Sequence, residues 1–274
     1  MEESRLESYL DRIGAERPGR PDLAALRRLQ RAHLLTVPFE NLSIHLGEPV
    51  LLDEASLLAK LVDRRRGGFC YELNGAFAAL LTALGYRVDL LAARVINGPV
   101  PGPPFDHLAL RVRLDERDGP DGPGGADRTD GTGDTDTPWL VDVGFGRFSV
   151  QPLRLDLREP QTDPGGVFTV VEHGEELDVL LDGKPQYRLD PRPYALSDFV
   201  PTCWWHSTSP DSPFARATLC SRLTESGRVS LTGTRLIRST DGEREERDLD
   251  EAAALDACRT LFGMELDRLP VARG

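Results

Sequence analysis

Residues 66–74 are Arg-Gly-Gly-Phe-Cys-Tyr-Glu-Leu-Asn, a stretch that sets one cysteine just after two glycines. The glycines allow a close approach of the backbone that larger residues would block. From Tyr71 to Leu84 apolar residues recur at helical spacing, and Gly85 follows, which predicts a helix that begins at the cysteine. A thiol on the first turn of a helix meets the positive end of the helix dipole. We therefore expect Cys70 to have a lowered pKa and to act as a nucleophile; the alternative is a buried structural cysteine.

Two further residues could complete a catalytic site, because a thiol nucleophile needs a base and the base needs an orienting group. His107 opens the alternating segment His-Leu-Ala-Leu-Arg-Val-Arg-Leu, which predicts a β-strand. Taken alone, this histidine is more typical of a surface face of such a strand. Asp142 interrupts the apolar strand Trp-Leu-Val-Asp-Val-Gly-Phe-Gly, where a carboxylate is costly unless it is paired. An imidazolium would satisfy it, so Cys70, His107 and Asp142 are the candidate catalytic residues.

Five segments together resemble the arylamine N-acetyltransferase family. They are residues 66–74, Val-Pro-Phe-Glu-Asn-Leu at 37–42, His107 ahead of its strand, Asp-Val-Gly-Phe-Gly at 142–146, and Cys-Trp-Trp-His-Ser-Thr-Ser-Pro-Asp-Ser-Pro-Phe at 203–214. The segments follow one another in family order, and the chain length fits. From its sequence, the chain is identified as a member of this family.

The resemblance implies an α+β fold in three parts with a cysteine-protease-like catalytic core. The parts are an N-terminal helical bundle at 1–85 that carries the nucleophile, a central β-barrel at 86–200 that carries His107 and Asp142, and a C-terminal α/β lid at 201–274. The hydrophobic pattern agrees with this order. It predicts helices at 22–35, 53–62 and 71–84, strands at 87–95, 107–114, 139–143, 167–171, 177–181 and 186–189, then a loop, a short helix near 214–220, strands within 228–238 and a helix at 250–262.

The resemblance also implies the chemistry. Acetyl-CoA would acetylate Cys70 and CoA would leave; the nitrogen of an arylamine, arylhydroxylamine or hydrazine would then take the acetyl group, in a ping-pong reaction of xenobiotic metabolism. An apolar pocket for the flat aromatic substrate would be formed by Phe39, Val95, Phe145 and Phe214. Glu40 and Arg66 would form a structural ion pair that holds the segment before the nucleophile.

Composition limits the other partners. The chain has 274 residues, a mass of 30.2 kDa and a formal net charge of −12, which argues against nucleic acid or an anionic membrane surface. It has no apolar run of membrane-spanning length, so we expect a cytoplasmic protein. The four cysteines, Cys70, Cys203, Cys220 and Cys258, lack the spacing of metal ligands. We therefore expect no metal and assign the last three cysteines to packing.

The segment from Asp115 to Thr137 departs from the family pattern by its length. It holds eight acidic residues and two arginines, a net charge of −6, and almost no apolar side chain. Such a segment cannot bury enough surface to offset the entropy of ordering. We therefore expect a flexible loop between the strands of His107 and Asp142.

A second departure is Asp106, beside the candidate base. Adjacent strand residues point to opposite faces, so Asp106 should not replace Asp142 as the partner of the imidazole. Its negative charge could still lie near the mouth of the cleft and disfavour anionic substrates.

Three other functions stay open at this point. A polyketide amide synthase of the same family would use the same three residues but accept an acyl chain from an acyl carrier protein and close it as a macrolactam. The acidic carrier would need a basic patch, for which Arg64, Arg65, Arg66 and Arg94 are candidates. A cysteine peptidase or a transglutaminase-like enzyme shares the order Cys, His, Asp, and a catalytically silent binding module is the remaining alternative.

Overall fold

The computed structural model of the protein describes residues 1–115, 136–240 and 242–272. The acidic segment predicted as a flexible loop lies outside the described residues, apart from its two ends. Those ends are paired strand residues, since Asp115 lies opposite Asp136 and Leu114 lies opposite Thr137 in an antiparallel ladder.

The N-terminal part of the chain is mainly helical. Its elements are α1 (Glu3–Ile13), α2 (Leu23–Thr36), the short strand β1 (Phe39–Glu40), α3 (Leu42–Leu46), α4 (Glu54–Leu58) with a π-helical turn at Ala59–Asp63, and α5 (Cys70–Ala83). Asp22 and Asp53 cap α2 and α4 by accepting backbone N–H groups. Helix α5 is buried along most of its length and so lies in the core. Of the helices in the described ranges, none is long and apolar enough to cross a membrane.

Eight strands form one antiparallel, barrel-like sheet. They are β2 (Arg87–Val95), β3 (His107–Asp115), β4 (Asp136–Val141), β5 (Leu153–Arg154), β6 (Gln161–Asp163), β7 (Gly166–His173), β8 (Glu176–Leu181) and β9 (Lys184–Tyr194). Their order is β5-β4-β3-β2-β9-β8-β7-β6. Strand β3 lies between β2 and β4, so His107 begins a strand with a neighbour on each side.

The C-terminal part combines helices with a second sheet. Its elements are a 3₁₀ turn (Leu196–Phe199), α6 (Val200–Thr208), α7 (Pro213–Arg216), β10 (Leu219–Thr224), β11 (Gly227–Thr232), β12 (Arg235–Thr240), β13 (Glu243–Asp248) and α8 (Glu251–Phe262). The sheet order is β1-β10-β11-β12-β13, with Phe39 of β1 opposite Ser221 of β10. Phe39 also bridges to Gly68. The second sheet is thus joined directly to the segment that precedes Cys70.

Most predicted elements are present with shifted ends, but two predictions after residue 199 are wrong. The predicted loop contains helix α6, and the helix predicted near 214–220 is only α7. Helix α7 begins at Pro213, where Ser212 caps it, and the chain is already in strand β10 at Cys220. The sequence analysis predicted no element at α1, α3, β1, β5, β6, β10 or β13.

Strand β3 is buried on both faces at its start. Leu108, Leu110 and Val112 join the core cluster that contains the helices, whereas Ala109 joins a second cluster inside the barrel-like sheet. His107 lies on the same face as Ala109 and is 2% exposed. The surface alternative for this histidine is therefore wrong, because the second face of the strand is also covered.

Candidate active site

The two glycines before the nucleophile are required by close contacts. A Cβ on Gly67 would lie 1.9 Å from the carbonyl oxygen of Pro38, and one on Gly68 would lie 2.6 Å from the Glu72 carboxylate. The same carboxylate accepts a backbone N–H at the helix start at 3.2 Å. These contacts fix Cys70 as the first residue of α5.

A cluster of four buried charges lies behind this segment. Lys60 Nζ contacts Glu72 Oε1 at 2.7 Å and Glu40 Oε1 at 3.7 Å, and Arg66 Nη2 contacts Glu40 Oε1 at 2.9 Å. The predicted ion pair of Glu40 and Arg66 is confirmed. Burial acts to raise the pKa of Glu40, but Lys60 and Arg66 outweigh it and hold that pKa below its usual range. Burial raises the pKa of Glu72, against the pull of Lys60.

His107 and Asp142 form a buried pair. His107 Nε2 lies 2.7 Å from Asp142 Oδ2, and the two side chains are almost fully buried. The second carboxylate oxygen accepts the backbone N–H of Gly144 at 2.9 Å. With Nε2 engaged, Nδ1 is the ring nitrogen that remains to exchange a proton with a nucleophile.

Asn74 connects the nucleophile helix to this pair. It lies one turn after Cys70, and its Nδ2 donates to Asp142 Oδ1 at 2.9 Å and to the carbonyl oxygen of Leu108 at 2.6 Å. Its Oδ1 accepts the backbone N–H of Val143 at 2.9 Å. Sequence alone assigned Asn74 no role; the available signal was an amide four residues after the cysteine, on the same helix face.

The loop after Asp142 lies directly against the nucleophile. A Cβ on Gly144 would come within 2.7 Å of the Cα of Cys70 and within 2.7 Å of Asn74 Nδ2. Only glycine therefore allows this approach of the two backbones. Cys70, Asn74 and Asp142 thus form one packed unit.

The environment of Cys70 differs from the sequence expectation. The residue is 3% exposed, and this burial raises the pKa of its thiol well above the usual value, although a backbone hydrogen bond from Leu108 acts to lower it. The expected lowering of the pKa is wrong for this site, because burial disfavours the charged thiolate more than the hydrogen bond from Leu108 favours it. A buried thiolate needs a positive partner, which a proton transfer to His107 would create.

Tyr187 is another residue that sequence analysis missed. Its ring lies 5.2 Å from that of His107, centroid to centroid, and it is fully buried on β9. Its hydroxyl is near Asp142 but is not placed for a standard hydrogen bond to any described residue. Burial, with the charge of Asp142 second, raises the pKa of the phenol. Nothing in the local pattern of β9 distinguished this tyrosine from an ordinary core residue.

Comparison with known proteins shows the family of the chain. A family model described as N-acetyltransferase matches residues 22–118 and 132–271. The arylamine N-acetyltransferase of Mycolicibacterium smegmatis is 34% identical over 274 aligned residues, which cover 96% of this chain and 93% of that protein. The chain belongs to the arylamine N-acetyltransferase family.

Solved structures of arylamine N-acetyltransferases share the fold. The M. smegmatis structure has a TM-score of 0.82 at 34% identity, covering 98% of this chain and 96% of that one. The structure of the Mycobacterium marinum protein in complex with CoA has a TM-score of 0.80 at 33% identity, covering 94% and 92%. The predicted three-part α+β fold is therefore confirmed. The boundaries predicted after residues 85 and 200 stay predictions.

Two of the four predicted pocket residues lie together in this arylamine N-acetyltransferase fold. The ring centroids of Phe39 and Phe214 are 6.2 Å apart, and Phe214 is 5.4 Å from Phe69, which precedes Cys70. Phe39 belongs to β1, which pairs with β10 of the second sheet and bridges to Gly68, two residues before Cys70.

The other two predicted pocket residues lie elsewhere around the site. The ring of Phe145 is 5.1 Å from that of His107. Val95 is at the end of β2, where its backbone N–H donates to Asp106 Oδ2 at 3.1 Å. A role of the four residues in binding an aromatic substrate stays a prediction.

The predicted basic patch is divided. A cavity of about 700 Å³ is lined by Arg64, Arg65 and Arg66, together with Leu46, Glu48, Asp63, Arg259, Gly263, Glu265, Leu266, Asp267 and Arg268. Arg94 is not among these lining residues, and its Nε donates to the carbonyl oxygen of Gly102 at 2.8 Å. Acidic residues share the cavity, so it is not uniformly basic.

The last feature of the site region is its set of possible metal ligands and remaining thiols. Within it, no group of three or more His, Cys, Asp or Glu side chains is placed to hold a metal ion. Cys203, Cys220 and Cys258 are buried free thiols, as the packing assignment predicted.

Proposed function

We propose that this chain transfers an acetyl group from acetyl-CoA to the nitrogen of arylamines, arylhydroxylamines or hydrazines through an acetyl thioester on Cys70. The observation that carries the proposal is the buried pair of His107 and Asp142, which Asn74 ties to the helix that begins with Cys70. A cytoplasmic setting is proposed with it, since reducing conditions keep the nucleophile as a free thiol.

The first half-reaction acetylates the cysteine. His107 Nδ1 takes the proton of the Cys70 thiol, while Asp142 stabilises the imidazolium that forms. The thiolate attacks the thioester carbonyl, and the oxyanion is placed to meet the backbone N–H at the start of α5. The C–S bond to CoA then breaks, and the CoA sulfur leaves with the proton held by His107. The products are acetyl-Cys70 and CoA.

The second half-reaction transfers the acetyl group from Cys70 to the nitrogen of the acceptor. A neutral amine attacks the acetyl carbonyl, His107 takes its proton, and the thiolate of Cys70 leaves and is reprotonated. Aryl amines and hydrazines suit this step because they are neutral and nucleophilic near pH 7. A lysine side chain is mostly protonated at that pH and is a poor competitor. The aromatic group of Phe39, Phe69 and Phe214 supports an aromatic acceptor.

Two arginines support a donor that carries phosphate. Arg228 of β11 donates to Ser221 Oγ at 3.1 Å, and Ser221 lies opposite Phe39 in the ladder. Burial, followed by the nearby charge of Arg147, lowers the pKa of Arg228 to about 10. Neither arginine has a carboxylate ion-pair partner among the described side chains. A partly buried cation beside a second cation suits the phosphate groups of CoA.

The deciding experiment is to incubate the protein with acetyl-CoA, without amine, and to record its intact mass beside Cys70→Ala. We expect a gain of one acetyl group that is absent in the variant and is discharged by an aryl amine or a hydrazide. A folded protein with alkylatable Cys70 that takes no acetyl group would contradict the proposal. That outcome would make a carrier-bound donor, and hence the amide synthase, the leading alternative.

A further inference from the structure

The two residues before the candidate base accept hydrogen bonds from the residue after the candidate nucleophile. The hydroxyl of Tyr71, the second residue of α5, donates to the carbonyl oxygen of Phe105 at 2.7 Å and to that of Asp106 at 3.1 Å. Tyr71 is fully buried, so its hydroxyl acts away from bulk water, where a lost hydrogen bond is costly. The chain directly before His107 is thus tied to the first turn of α5.

The residue after the base is tied to the same helix. The backbone N–H of Leu108 donates to the sulfur of Cys70, and the carbonyl oxygen of Leu108 accepts Asn74 Nδ2 at 2.6 Å. His107 therefore lies between two stretches of backbone that α5 holds, one through Tyr71 and the other through Cys70 and Asn74. These contacts on both sides place the backbone of the base relative to the thiol.

The loop before the base has a backbone conformation that requires such contacts. Phe105 has a φ of 61°, in the left-handed region that a bulky residue rarely adopts. A residue stays in this region only where its surroundings hold it there. The ring of Phe105 packs against those of Tyr194 and Phe199, with centroids 4.9 and 5.2 Å away. These rings fix its side chain, and the hydroxyl of Tyr71 holds its carbonyl oxygen.

The side chain of Asp106 joins the same loop to other elements. Its carboxylate accepts the backbone N–H of Val95 at 3.1 Å and lies 2.9 Å from His206 Nε2 of α6. As predicted, Asp106 does not replace Asp142 as the partner of the imidazole. The carboxylate thus connects the loop to β2 and α6, whereas the hydroxyl of Tyr71 connects it to the helix of the nucleophile.

We propose that Tyr71 is a positioning residue of the acyl-transfer site, because its hydroxyl fixes the backbone before His107 and so sets the distance between that base and the thiol of Cys70. The inference rests on the proposed function, in which Cys70 gives its proton to His107. Proton transfer needs the two groups within hydrogen-bond reach, and a small displacement of the base slows it. Tyr71 acts through His107, so its effect disappears when the base is absent.

The test is a double-mutant cycle on the alkylation of Cys70 by iodoacetamide at pH 7, followed by intact mass with Cys70→Ala as background. Tyr71→Phe removes the hydroxyl and keeps the ring. We expect its alkylation rate to fall about three- to tenfold, because the displaced base takes the proton of the thiol less readily. His107→Gln should be slower still. The double variant should match His107→Gln within about twofold, since no base remains to be positioned.

Two control variants separate positioning from lost stability. Tyr86→Phe removes another buried hydroxyl, which donates to the carbonyl oxygen of Asp22 at 2.9 Å, at the N-cap of α2. It should lower the urea midpoint about as much as Tyr71→Phe does, but its Cys70 should be alkylated at the wild-type rate. Thr202→Val removes a hydrogen bond of 3.1 Å from α6 to the carbonyl oxygen of Pro104, in the same loop, and should also leave that rate unchanged.

The possible outcomes are distinct. A wild-type rate for Tyr71→Phe, or equal slowing by this change with and without His107, would overturn the inference. If Tyr71→Phe does not fold, Thr202→Val decides: slowing there would assign the effect to the loop as a whole, and a wild-type rate would confine it to the contacts next to His107. Wild-type alkylation of His107→Gln would contradict the proposed function, and the inference with it. Iodoacetamide needs neither acetyl-CoA nor amine, so a failure of acetyl transfer would leave this measurement intact.

Discussion

Asn74 and Asp142 are joined by a hydrogen bond of 2.9 Å, which ties the carboxylate that contacts His107 to the helix that carries Cys70. The nucleophile and the orienting group therefore belong to one rigid unit, although they are far apart in the sequence. The same amide side chain also donates to the carbonyl oxygen of Leu108, the residue after the base, and so connects the helix to the strand of His107 as well.

Replacement of Asn74 by alanine should uncouple this unit. The change leaves buried polar groups of Leu108 and Val143 without their partner, so the free energy of unfolding should fall by about 2 to 4 kcal/mol. The rate of acetyl-Cys70 formation should also fall, by about tenfold or more, because the base loses its fixed orientation. Urea denaturation and intact mass measure the two effects. Asn97→Ala, at an exposed position, is the matched control and should change stability by less than about 0.5 kcal/mol.

Replacement of Gly144 by alanine should displace the nucleophile. The new Cβ would meet the Cα of Cys70 at 2.7 Å, a contact with backbone that no side-chain rotation can relieve. We expect a loss of about 1 to 3 kcal/mol in stability and about a hundredfold slower acetylation, since small displacements are costly at a reacting centre. Gly98→Ala, where a Cβ would meet nothing within 4 Å, should behave as wild type. Normal acetylation by Gly144→Ala would show that the two backbones can separate without cost.

The sequence predicted the parts of this site that depend on local chemistry. Local pattern was enough for three residues. Cys70 follows two glycines at a predicted helix start, His107 stands at the start of an alternating strand, and Asp142 is a carboxylate that is costly inside an apolar strand. The contacts of Asn74 and Tyr187 at the site were not predicted, because they join segments that are distant in the sequence. By local pattern, each residue is equally typical of an ordinary buried position. The raised pKa of Cys70 was not predicted either, because the sequence indicates the helix start but not how deeply the thiol is buried.

The fold was predictable to a similar extent. The sequence predicts most of the longer helices and strands up to residue 199, because each buries one or two recognisable faces, but it does not predict α1. Helix α6 was missed because its sequence, Val-Pro-Thr-Cys-Trp-Trp-His-Ser-Thr, has a proline and no apolar stripe. The pairing of β1 with β10 joins residues about 180 positions apart, and no local pattern encodes such a partner.

Stability should depend on pH through Glu40. Lys60 and Arg66 hold the folded-state pKa of this carboxyl low, so its contribution is fully present above its unfolded pKa of about 4.3 and is lost as the pH falls through the folded value. Glu40→Gln should therefore cost about 3 kcal/mol at pH 7, and the difference from wild type should shrink below about pH 4. Urea unfolding at several pH values measures this. Glu225→Gln, which breaks an exposed pair with Arg31, should show no comparable loss; a pH-independent difference for Glu40→Gln would exclude the charge as its cause.

The proposed phosphate contact of Arg228 predicts a selective loss. Arg228→Gln should raise the KM for acetyl-CoA about tenfold, because a charge-assisted contact contributes about 1.5 kcal/mol or more, while an aryl acetate ester without phosphate should be used as well as by wild type. Steady-state kinetics with the two donors and one aryl amine give both values.

Arg244→Gln is the matched control, since Arg244 is exposed and already contacts Glu246 at 2.7 Å. Equal losses with both donors would mean that Arg228 supports the shape of the sheet rather than the donor. Unchanged kinetics with both would place the phosphate groups elsewhere. A loss confined to acetyl-CoA is the result expected if Arg228, a partly buried cation without a carboxylate partner among the described residues, binds a phosphate group of the donor.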